Sequence, residues 1–155
     1  MYGIGKFTRA SAALLGIGIC AISVLPAAAR NAVVPLQIAN VMSSPDVTAK
    51  IDGSVKFYFG DAPHPAVLNT FGEFMTNQKT NSFGKSDASA CNWVFASALV
   101  ELQKRAHELG ANAVINIHSY YKKEDVSSTT DVPCHAGLAI AGVALKGDFV
   151  KVAAH

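Results

Sequence analysis

The sequence predicts a small α+β domain of ββαββ type, with one long helix packed on a mixed or antiparallel sheet. Three observations carry that prediction. Ser86–Leu109 is one amphipathic stretch with Ser86 or Asp87 as its cap and Gly110 just past its end. Immediately afterwards Asn112–Tyr121 switches to a period of two. Strand-like runs also stand on both sides of this unit, at Ser54–Phe59 and Ala66–Gln78 before it and at Leu138–Val152 after it.

Residues 1–29 stand apart from the domain. Lys6 and Arg9 precede an apolar run from Ala10 to Leu25, Pro26 breaks the run, and Ala27-Ala28-Ala29 supplies small residues for a signal peptidase. The run is shorter than the roughly 20 residues of a membrane span, so the pattern is that of a signal peptide cleaved near Ala29. Ile19 stands before Cys20, where lipid attachment would need a small residue. The mature chain, residues 30–155, is therefore expected to be a single domain, periplasmic or secreted.

The whole chain carries 13 Lys and Arg against 11 Asp and Glu. Losing Lys6 and Arg9 leaves the mature part balanced, and its basic pair Lys122-Lys123 is cancelled by Glu124-Asp125. Such a surface lacks the footprint of nucleic-acid binding. No later apolar run is long enough for a membrane span.

Cys91 and Cys134 survive processing, and an even count in an oxidising compartment reads as a disulfide. Closing that loop would contribute about 4 kcal/mol on the chain-entropy view. Two free thiols or a metal pair are the alternatives, although neither cysteine has a second one at zinc-knuckle spacing.

Along the mature chain, Val33-Val34 and Leu36 can open a strand, and Ser44-Pro45-Asp46 has the form of a cap for a short helical turn. Ser54–Phe59 alternates between Gly53 and Gly60 and reads as a strand. Asp61–Pro65 is a turn, Ala66–Gln78 a second strand bulged at Gly72, and Lys79–Lys85 a polar loop.

The helix places Cys91, Phe95, Leu99, Leu102, Ala106 and Leu109 on one stripe. Glu101 with Arg105 and Lys104 with Glu108 are opposite charges four residues apart on the wet side. His107 suits the negative end of the helix dipole. Trp93, Ala96 and Val100 fall opposite the main stripe, giving the first half a second apolar face. Either Asn31–Lys50 or another subunit covers it, and the balance leans to an oligomer interface.

In Asn112–Tyr121 strict alternation sends Ala113, Ile115, Ile117 and Tyr121 one way and Val114, Asn116, His118 and Tyr120 the other. Leu138–Leu145 is apolar on both faces and rich in Ala and Gly, as a buried strand would be. Gly147-Asp148 marks a turn or bulge before Phe149–Val152.

The order β-β-α-β-β, with LGANAVINI at Leu109–Ile117 and AGVAL near the end, resembles the YbjQ-like superfamily over Ser54–Val152. That superfamily includes putative heavy-metal-binding domains, and its exported branch contains the Rcs stress-sensing outer-membrane lipoprotein. The resemblance implies a compact α+β domain, ring-shaped oligomers and no established enzymatic activity. The placement of Cys91 and Cys134 is similar to a disulfide of the sensor lipoprotein. This chain lacks a lipid-attachment cysteine and has one cysteine pair where that protein has two, so the anchored sensing role does not carry over.

Two constellations invite a chemistry. Gly84-Lys85-Ser86 matches the end of a phosphate-binding P-loop, but Lys79 stands where the first glycine must be, so an ATPase is rejected. His118 on the polar strand face and His135 beside Cys134 are candidate ligands for zinc, copper or nickel, with His64 in a proline-flanked loop, yet no pair has HxH or HxxxH spacing. No nucleophile elbow is present. The sequence therefore points to a periplasmic, non-enzymatic module without a cofactor. It would act by protein association in envelope homeostasis or stress, as a homo-oligomer and with an envelope protein as a further partner. The alternative is a soluble periplasmic binder of a heavy or divalent metal.

Overall fold

The computed structural model describes residues 30–154, and the export signal read at 1–29 lies outside the described residues. The chain forms β1 (Ala32–Gln37), two short helices α1 (Ile38–Met42) and α2 (Pro45–Thr48), β2 (Lys56–Phe59) and β3 (Val67–Asn81). The long helix α3 (Asp87–Leu109) follows, then β4 (Ala113–Ser119), a 3-10 turn at Tyr121–Lys123, β5 (Asp131–Ala136) and β6 (Ile140–Val152). The class is α+β, with a mixed six-stranded sheet and α3 on one face.

β6 is the spine of the sheet. It pairs along its length with β3 on one edge and with β4 and then β5 on the other. All these pairings are antiparallel, while β2 joins β4 in parallel, which the connection through α3 permits. β1 closes the far side by pairing antiparallel with β5. The β5 strand and its pairing with β1 were not legible in the pattern, because β5 is broken by Pro133 and Cys134-His135.

α3 forms where the sequence reading placed it. The Ser86 hydroxyl accepts the Ser89 N–H at 3.1 Å and caps the first turn. Gly110 ends the helix at φ +76°, and Ala111 N–H returns to the Ala106 carbonyl at 2.9 Å. Ser86 is thus occupied as a cap. The inward stripe holds Cys91, Phe95, Leu99, Leu102 and Ala106, all buried, and Phe95 stacks on Phe59 with ring centres 5.9 Å apart. Cys91 is bonded to Cys134, Cα atoms 5.9 Å apart, which ties the start of α3 to β5.

The second face of the helix is corrected by the structure. Ala96 is wholly buried, as is Val47 of α2, which packs against α3. The Asn31–Lys50 segment therefore covers this side, and Ala96 belongs to the core rather than to an oligomer interface. Trp93 stays 47% exposed and Val100 half-buried.

Three strand details also differ from the alternation read in the sequence. β3 continues to Asn81, three residues into the stretch expected as loop, although the bulge at Gly72 is present. In β4 the register shifts between Ile115 and His118, and Asn116 sits at φ +52°. This extra residue resets the phase: Val114 and Ile117 face the helix, while Ala113 and Ile115 pack on the opposite side with Val150 and Val152. Gly147-Asp148 is not a turn, for β6 runs straight through it in unbroken register with β3. Gly147 is there for close approach: a Cβ would stand 2.9 Å from Val114 Cγ1 and 3.2 Å from Ile117 Cγ1.

Candidate functional site

The two histidines proposed as metal ligands lie along the same flank of β6 but are not brought together. His118 pairs with Lys146 and His135 with Gly142, four residues apart and so about 13 Å along the strand. His118 is buried and its ring is already engaged, Nδ1 with the Asn116 carbonyl at 2.7 Å and Nε2 with Asp125 Oδ1 at 2.9 Å. Both partners are acceptors, so the protonated ring donates to both and the neutral ring to one. The contact pins the 120–130 loop, which is also bridged at Ser119 and Val126.

His135 has a different environment. Tyr121 stacks on its ring with centres 3.5 Å apart and planes 10° from parallel. Its Nδ1 is buried with no hydrogen-bond partner. Burial, then the neighbouring Lys122 charge, pushes its pKa below the ordinary imidazole value, against a weaker opposing pull from Glu124. His64 packs edge-on against Tyr58 in its loop, and His107 bonds the Ser54 hydroxyl at 2.7 Å. Among the described residues no three His, Cys, Asp or Glu side chains converge as a metal-binding group.

The other side of the sheet offers a groove rather than a centre. It lies between α3 and β3, about 250 Å³, walled by Phe74, Thr76, Leu102 and Phe149 and rimmed by Glu101, Lys104, Arg105 and Glu108. Arg105 lies over the Phe74 ring at 4.9 Å and reaches Glu108, three residues on, at 3.4 Å, in place of the expected pairing with Glu101. Beside it, Lys50, Gln78, Ser97, Val100 and Glu101 line a second hollow. Both open toward β3, whose outer edge has no partner strand among the described residues.

That edge is the feature the sequence reading missed. Ser82 N–H bonds the Ala139 carbonyl at 2.9 Å, and the register is constant from there back to Glu73. Even-numbered residues therefore turn their N–H and C=O toward β6, and Glu73, Met75, Asn77 and Lys79 turn theirs outward. No local signal marked it, for polar residues stand at Thr76, Gln78 and Thr80 as well as at Glu73, Asn77 and Lys79. On the open face Glu73 bonds Lys146 Nζ at 2.8 Å and holds that ammonium above its ordinary pKa.

No helix among the described residues is long and apolar enough to cross a membrane. No protein-family model, curated protein or solved structure matches the chain.

Proposed function

We propose that this protein is an exported, non-enzymatic module of the cell envelope that acts through protein association, beginning with a second copy of itself. The observation that carries this reading is the unpartnered edge of the 15-residue strand β3, which runs beside the exposed part of α3 that includes Val100. Antiparallel pairing of two such edges about Thr76 sets Glu73 opposite Lys79 of the second copy, twice by symmetry. Met75 and Asn77 then form the central hydrogen-bonded pairs, and residues 73–79 exchange about eight backbone bonds. A shift of the symmetry point by one residue either way loses both charge pairs, so charge selects the register. The YbjQ-like resemblance, with its ring-shaped relatives, supports self-association, while a self-complementary edge closes as a two-fold pair.

Light scattering of residues 30–155 tests the reading. The expected result is a dimer or larger assembly at micromolar to millimolar concentration. Glu73→Lys and Lys79→Glu should each weaken it about tenfold, since like charges then face each other twice. The double swap should restore association. Because it leaves the Glu73–Lys146 bond broken, the recovery isolates the contact between copies. A compact monomer throughout that range overturns the proposal. Saturable binding of zinc, copper or nickel by calorimetry, abolished by His118→Ala or His135→Ala, would favour the metal-binding alternative instead.

A further inference from the structure

At one end of the sheet two tight turns lie side by side, each with an apolar side chain at its apex. In the first, Lys85 N–H bonds the Ser82 carbonyl at 3.1 Å and Gly84 sits at φ +73°, the third position of a turn that needs a left-handed residue. Phe83 N–H is held by the Asn81 side chain at 2.8 Å, and its ring is 79% exposed. In the second, Gly137 N–H bonds the Ile140 carbonyl at 2.8 Å, and Leu138 and Ile140 are 72% and 56% exposed.

Ser82 locks the two turns together. It is buried, its N–H bonds the Ala139 carbonyl, and its hydroxyl bonds the Gly137 carbonyl at 3.1 Å. Phe83, Ala139 and Ile140 share an open hollow with Lys79 and Asn81. Backbone and side-chain bonds thus hold three large apolar groups out in water, at a cost that folding alone does not explain.

The surrounding charge has one sign. Neither Phe74–Ser86 nor Val132–Gly147 contains an Asp or Glu, while Lys79 and Lys85 flank the apices. The next carboxylate, Asp87, is paired with Arg30. We propose that this end of the molecule docks on an anionic phospholipid surface, with Phe83, Leu138 and Ile140 entering between headgroups and Lys85 meeting phosphates. Two convex turn apices suit shallow insertion better than the broad matched surface of a protein interface. The entry of the chain agrees. A Cβ on Gly137 would stand 3.3 Å from the Arg30 carbonyl, so the first described residue lies at this end. On the export reading, this end faces the bilayer at release.

Co-sedimentation of residues 30–155 with vesicles tests it, comparing phosphatidylglycerol-containing vesicles with pure phosphatidylcholine. Binding is expected to the anionic vesicles and to fall with added salt. Phe83→Ser and Leu138→Ser should each weaken it at least about tenfold, and Lys85→Glu should lower the preference for anionic lipid. These positions are exposed, and circular dichroism should show an unchanged fold. Absence of sedimentation with anionic vesicles overturns the proposal, as does binding that Phe83→Ser and Leu138→Ser leave intact. If those variants instead lose self-association in light scattering without any lipid binding, the patch belongs to a second copy and the lipid proposal fails.

Discussion

The ammonium of Lys50 lies 3.2 Å from the centre of the Trp93 ring, roofing the one tryptophan of the chain. The contact joins the end of the α2 segment to the outer face of α3, where a bare indole would otherwise meet water. Lys50 thus serves the Trp93 face that the sequence left open between a subunit and the Asn31–Lys50 segment.

A double-mutant cycle between Lys50→Met and Trp93→Leu should return a coupling of about 0.5–1 kcal/mol in urea unfolding, as expected for an exposed cation over an aromatic face. Coupling indistinguishable from zero would mean that the two side chains do not meet in solution.

Opening the Cys91–Cys134 bridge should cost stability rather than an activity. On the export reading, protein recovered from the envelope should show no alkylatable thiol until it is reduced. Reduction should lower the unfolding free energy by about 4 kcal/mol, the loop-closure entropy of the 43-residue separation. Full alkylation without reductant would rule out the bond in the exported protein.

His135 should make the fold acid-sensitive. Its pKa in the folded protein lies below its ordinary value of 6.5, because burial and Lys122 disfavour the charged ring. The unfolded chain therefore takes up the proton first as the pH falls. The contribution of His135 is full above about pH 6.5 and declines below it until the folded ring also titrates. Urea midpoints at pH 7.5 and 5.5 should differ more for the native protein than for His135→Phe, which keeps the stack on Tyr121. An equal difference in both would remove His135 as the source.

Local chemistry was enough to determine the middle of this protein. Ser86, the stripe from Cys91 to Ala106 and Gly110 define α3 without help from any neighbour, because a cap, a 3.6-residue period and a left-handed stop are properties of one short stretch. The Gly72 bulge and the strand at β2 were legible for the same reason. What only the tertiary structure decided depends on partners distant in the chain. Asn116 adopts a positive φ and turns His118 away from the face that alternation assigned it, a choice set by how β4 meets β6. Ala96 reads on a helical wheel as part of a second apolar face that either Asn31–Lys50 or another subunit must cover, and it is buried within the fold, where α2 packs against α3. Gly147 reads as part of a turn or bulge and is a contact point opposite the bulge of β4, since only the assembled sheet brings Val114 and Ile117 within reach of its missing Cβ. The free edge of β3 is of the same kind. Periodicity tells which face a strand buries, but which of its edges finds a partner is settled by the order of strands in the sheet, and that order is set by long-range pairing rather than by any local run of residues.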